Sequence, residues 1–141
     1  MKIFIRRVGE GVHMEASNED GAVISMDGSP AVGGVNAGMR PMQVLLSSLG
    51  GCSGIDVIDI LKKQRQDLKD FRIEINGQRE DKPAPSVFTD IHVHFTLSGN
   101  LDESKVKRAI DLSMTRYCSV ARILEKTAKI SYSFTIENGE K

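Results

Sequence analysis

Residues 41–64 read Pro41-Met42-Gln43-Val44-Leu45-Leu46-Ser47-Ser48-Leu49-Gly50-Gly51-Cys52-Ser53-Gly54-Ile55-Asp56-Val57-Ile58-Asp59-Ile60-Leu61-Lys62-Lys63-Gln64. Proline is favoured in the first turn of a helix, where its missing N–H costs nothing. Apolar residues follow at 42, 44, 45, 46, 49, 55, 57, 58, 60 and 61. They cover more than one helix face, so the spacing predicts a buried helix of about 24 residues, ending near Gln64. Lys62, Lys63 and Arg65 gather where the helix dipole is negative. Gly50, Gly51 and Gly54 each cost up to about 1 kcal/mol relative to Ala inside a helix. Their presence predicts that another backbone packs close to this one. A helix this apolar needs cover on every side, which a second copy of the chain would supply.

Outward from this helix the pattern changes period. On the N-terminal side, Ile3 and Ile5 alternate with Lys2, Phe4 and Arg6. Val12, Met14 and Ala16 alternate with His13, Glu15 and Ser17, and Asn18 to Gly21 turns into the run from Ala22 to Met26. All three read as strands, followed by a glycine-rich loop over 28–40. On the C-terminal side, Phe71, Ile73 and Ile75 mark one strand, and Ile91, Val93, Phe95 and Leu97 another. Asn100 and Glu103 suggest a capping box for a helix through Met114, with Val106, Ala109, Ile110 and Ser113 inward. A second helix is expected over 119–127, carrying Val120, Ile123 and Leu124. Ile130, Tyr132, Phe134 and Ile136 form a final strand. The order βββαββααβ, with helices segregated from strands, predicts an α+β fold in a single domain over 1–141.

The composition excludes several classes. Of 141 residues, 19 are basic and 19 acidic, so net charge gives no footing for nucleic acid or an anionic membrane. No signal stretch is evident, and no apolar run is expected to reach the ~20 residues of a membrane span. Two cysteines without a secretion signal argue against a disulfide scaffold and for the cytoplasm.

Chemistry therefore centres on Cys52, inside the long helix, and Cys118, just before a helix start. Thiolate is the nucleophilic form, and a helix N-terminus stabilises it. The two are 66 positions apart, so only the fold can join them. Spacing alone leaves two readings open, inert core cysteines or a reactive pair. A zinc site is not expected, because no Cys-x-x-Cys or His-x-x-x-His spacing occurs. His13, His92 and His94 sit on polar strand faces. The loop Gly33-Gly34-Val35-Asn36-Ala37-Gly38 matches no phosphate-binding motif.

The run Arg40 to Asp56 resembles the cysteine-bearing helix of the OsmC/Ohr family. Ser113-Met114-Thr115-Arg116-Tyr117-Cys118-Ser119-Val120 resembles its second cysteine motif. The stretches Val87 to Phe95 and Leu97-Ser98-Gly99 fit as well, and the likeness is nearest to the YhfA-like branch. The resemblance implies an OsmC-like fold, with antiparallel β-sheets around long central helices in an intertwined homodimer. It implies a thiol-dependent organic hydroperoxide reductase of oxidative and osmotic stress defence. Cys52 would be the peroxidatic thiol and Cys118 the resolving one, with an external dithiol, lipoyl-type, as reductant and no metal, haem or flavin. The family's activating Arg is positioned by a Glu near the helix start. Here Met42 and Gln43 stand at the two candidate positions for that Glu. Arg6, Arg7 and Arg40 are candidates for the Arg, and Arg40 is nearest the helix start. Asp56, one turn after Cys52, disfavours a thiolate unless a cation intervenes. The alternative is a weakly active or non-enzymatic dimer that binds a small hydrophobic or electrophilic ligand at its interface. A purely structural role for both cysteines is the third reading.

Overall fold

The computed structural model describes residues 1–137. The chain divides into two compact units, Met1–Leu45 and the part from Leu46 onward.

In the first unit, β1 (Ile3–Arg7), β2 (Met14–Asn18) and β3 (Val23–Met26) form an antiparallel sheet in that order. Asn18 closes the β2–β3 turn, its Oδ1 accepting from the backbone N–H groups of Asp20 and Ala22. The buried Asp27 accepts from the backbone N–H groups of Gly28, Val35 and Ala37, which folds the following loop around one carboxylate.

Helix α1 (Pro41–Lys63) begins in the first unit and runs through the second. Its start is closed by Gln43, whose Oε1 accepts from the Arg40 backbone N–H at 2.9 Å. Its end is closed by Arg65 in the left-handed conformation, with Gln66 N–H reaching back to the Leu61 carbonyl. By length and composition α1 is apolar enough to cross a membrane, contrary to the expectation for any run in this chain. A buried core helix passes the same test, and Leu49, Val57 and Leu61 of α1 are fully buried.

The second unit adds β4 (Asp67–Arg79), β5 (Phe88–Asn100), α2 (Glu103–Leu112), a π-helical turn (Ser113–Tyr117), α3 (Ser119–Leu124) and β6 (Lys129–Glu137). The element order is the expected one. The antiparallel pattern holds only in part. Strand β4 pairs antiparallel with β5, but β6 lies parallel to β5, Ile91 beside Ile130 and Phe95 beside Phe134. The reason is the crossover: α2 and α3 carry the chain back before β6 starts. Ile91, Val93, Phe95 and Leu97 are buried on one face of β5, with Val106, Ala109 and Ile110 of α2 also in the core. On the other face His92 and His94 bond to the hydroxyls of Ser131, Ser133 and Thr135.

Three local expectations are corrected. The N-cap of α2 is Asp102, which accepts from Ser104 and Lys105 N–H, because Asn100 still belongs to β5. Helix α3 is shorter than expected, and it buries Ala121 while Ile123 is exposed. Within the chain it is side chains, not a second backbone, that approach Gly50 and Gly54. A Cβ at Gly50 or Gly54 would press on Ile75, or on Ile73 and Phe71, so these glycines admit β4 side chains. Gly51 faces open space.

Candidate functional site

Cys52 and Asp56 stand one turn apart on α1, hence on one face. The π-helical turn after α2 brings the third group to them. Cys118 N–H donates to the Ser113 carbonyl five residues back, at 2.8 Å, so the chain gains a residue before the next helix. Cys118 is then the extended N-cap of α3, its Sγ accepting from Ala121 N–H at 3.4 Å. The result joins what the sequence separates. The sulfurs of Cys52 and Cys118 and a carboxylate oxygen of Asp56 lie within 4.8 Å of one another.

Exposure divides the two thiols: Cys52 is half-buried and Cys118 buried. Burial pushes the Cys118 thiol up to about 11. The Ala121 N–H opposes this, while the Cys52 sulfur and the Asp56 charge add to it. The helix start thus does favour the thiolate, but desolvation outweighs it, and Cys118 is a thiol near neutral pH.

Ser113 is the participant that the pattern did not single out. Read as one more inward residue of α2, it is fully buried, and its one hydroxyl proton serves Asp56 Oδ2 at 3.0 Å or the Ser53 carbonyl at 3.2 Å. A serine in an apolar stripe was the available signal, since a buried hydroxyl needs a partner. Asp56 also lines a cleft of about 470 Å³ with Asp59, Ile60, Lys63, Leu112 and Tyr117, where Lys63 pairs with Asp59 at 2.6 Å.

Of the supporting residues, Asp56 joins the cysteines, while Arg40 and Gln43 have partners of their own in the first unit. The Arg40 guanidinium donates to Asn36 Oδ1 at 2.6 Å and to the Gly38 carbonyl at 3.4 Å. Gln43, at one of the two candidate positions for the family's Glu, accepts from the Arg40 backbone N–H. The first turn of a helix has unpaired N–H groups, and an amide three residues on is placed to take one. Arg6 pairs with Glu15, and Arg7 donates to the carbonyls of Glu10 and Gly11. Among the described residues, the donors grouped closely enough to hold a cation are the two sulfurs and the Asp56 carboxylate, not the histidines.

The OsmC-like protein family model matches residues 34–133, which takes in both cysteines and the carboxylate. The chain belongs to the OsmC-like family. This OsmC-like chain is 39% identical over 128 residues to Protein YhfA of Escherichia coli (strain K12), covering 90% of this chain and 92% of that one. Among solved structures it is similar to a protein of Aquifex aeolicus VF5, at TM-score 0.84 and 29% identity, covering 99% of this chain and 97% of that one. The organic hydroperoxide resistance protein OhrB of Bacillus subtilis shares the fold at TM-score 0.61 and 18% identity, covering 95% and 96%.

Proposed function

We propose that this OsmC-like chain is a cytoplasmic, Cys-based reductase of organic hydroperoxides. The observation that carries the reading is the meeting of one half-exposed and one buried sulfur, with no more than 4.8 Å between them. Cys52 thiolate attacks the peroxide O–O bond, giving Cys52 sulfenic acid and, after protonation, the alcohol. Cys118 then displaces the hydroxyl group as water and forms the Cys52–Cys118 disulfide. An external dithiol, lipoyl-type in this reading, reduces the disulfide by two exchanges and becomes a disulfide itself. Arg40 is the proposed cation for the Cys52 thiolate, with Gln43 fixing the backbone from which it extends, and Asp56 is the carboxylate the cation must offset. A homodimer completes the site. Ile55 and Ile58 of α1 are exposed beside Gly51, and a second copy would cover them.

The test is one equivalent of cumene hydroperoxide added to the reduced protein, with intact mass and free thiols read within seconds. Loss of two hydrogens and both thiols is expected, with a sulfenic acid trapped only in Cys118→Ser. Unchanged mass and two persistent thiols would reject the reductase. A second reading, binding of a small hydrophobic ligand, draws on a groove of about 400 Å³ lined by Ile3, Ile5, Ala16, Val23, Ile24 and Met26, among others. Saturable binding of a fatty acyl or aromatic probe, without turnover, would favour it.

A further inference from the structure

We propose that Cys52, Asp56 and Cys118 form a three-ligand site for a thiophilic divalent cation of the zinc class. Two sulfurs and a carboxylate oxygen are a donor set that zinc accepts, with a fourth position left for water. In a tetrahedral zinc site the sulfurs sit about 3.8 Å apart, so donors already within 4.8 Å need at most about 1 Å of side-chain movement. None of the three is on a loose segment: two share one face of α1, and the third is fixed between the π-helical turn and α3.

Three further observations fit a cation rather than a chance cluster. The Ser113 hydroxyl lies 3.0 Å from Asp56 Oδ2, the shorter of its two contacts and of the kind that orients a carboxylate ligand. Among the described residues Asp56 has no ion pair with a Lys or Arg that would compete for its carboxylate. Asp56 lines a cleft and Cys52 is only half-buried, so two of the three donors are open to solvent. Binding exchanges two thiol protons, released to solvent, for two sulfur–metal bonds and adds one oxygen–metal bond. No electron is transferred. Spacing rules missed the set because its two cysteines are 66 positions apart. The site stands apart from the reductase reading, although a bound cation would occupy both sulfurs and shield them from peroxide.

The test uses the full-length reduced protein and Cd²⁺ alone as probe, without peroxide. Sulfur-to-cadmium charge-transfer absorbance is expected to saturate at one ion per chain and to be reversed by Zn²⁺. Cys52→Ser and Cys118→Ser should each lose roughly half of the band, and Asp56→Asn should weaken binding at least about 10-fold. Asp56→Glu should recover part of that loss, and circular dichroism would establish that the variants are folded. Diamide oxidation of the unsubstituted protein should abolish binding, and reduction should restore it. No band at micromolar cadmium, half an ion per chain, or affinity indifferent to Asp56→Asn would overturn the three-ligand site. Because peroxide is absent, a failed reductase and a failed metal site give different results.

Discussion

Oxidising the cysteine pair should make the protein measurably harder to unfold. A Cys52–Cys118 disulfide closes a loop of 66 residues. The chain-entropy relation assigns such a loop about 4 kcal/mol at 25 °C. A domain of this size gains about 4 °C in Tm per kcal/mol, which sets a ceiling of roughly 15 °C. Sulfurs that begin within 4.8 Å must still close to the ~2.05 Å of the bond, and the local movement subtracts from the ceiling. The expected rise is therefore roughly 5–15 °C. Calorimetric scans of reduced protein and of protein treated with one equivalent of cumene hydroperoxide give the comparison, with intact mass verifying the bond. Cys52→Ser and Cys118→Ser should show no rise under the same treatment. A verified disulfide that leaves Tm unchanged or lowers it would refute the reasoning, since the native fold would then have to distort to admit the bond.

Other perturbations reach other parts of the molecule. Gly99 has φ +132°, and a Cβ there would lie 2.0 Å from the Asp67 carbonyl oxygen, so Gly99→Ala should cost about 3 kcal/mol in urea unfolding. Phe95 is fully buried on β5, with its ring 6.1 Å from that of Phe71, and Phe95→Ala should cost about 4 kcal/mol by the same measurement. The backbone N–H groups of Ala37, Val35 and Gly28 hold the Asp27 carboxyl below the usual carboxylate range. Its contribution to stability is thus complete above the unfolded value of about 3.9 and is lost as pH falls through the lower folded value. Urea midpoints across that window should show an acid limb that flattens in Asp27→Asn.

Helix α1 could be read from the sequence because its signals are local: a proline start, a broad apolar run and basic residues at the end. The β4 and β5 faces were legible for the same reason, since alternation assigns Phe95 inward and His94 outward without knowledge of partners. What was not legible depends on distant contacts. Alternation in Ile130, Tyr132, Phe134 and Ile136 is the same whether β6 runs parallel or antiparallel to β5. Asn100 and Asp102 are equally good caps, and only the length of β5 decides between them. Gly50 and Gly54 announce close approach, but not that β4 side chains make it. The candidate cysteines were visible singly. Their meeting with Asp56 depends on one extra residue in the turn before Cys118, and no residue type encodes such a turn reliably.

The placement of Cys118 in the crossover between β5 and β6 also sets a schedule. Synthesis runs at roughly 5–20 residues per second, so Cys118 is joined to the growing chain about 3–13 s after Cys52. Throughout that interval Cys52 has no partner within its own chain. A sulfenic acid formed on it then cannot be captured as a disulfide and can be oxidised onward to the sulfinic acid, from which this protein has no return of its own. If the chain is the proposed reductase, newly made molecules are the most open to this loss, and the damaged fraction should rise with the rate of synthesis during exposure to peroxide.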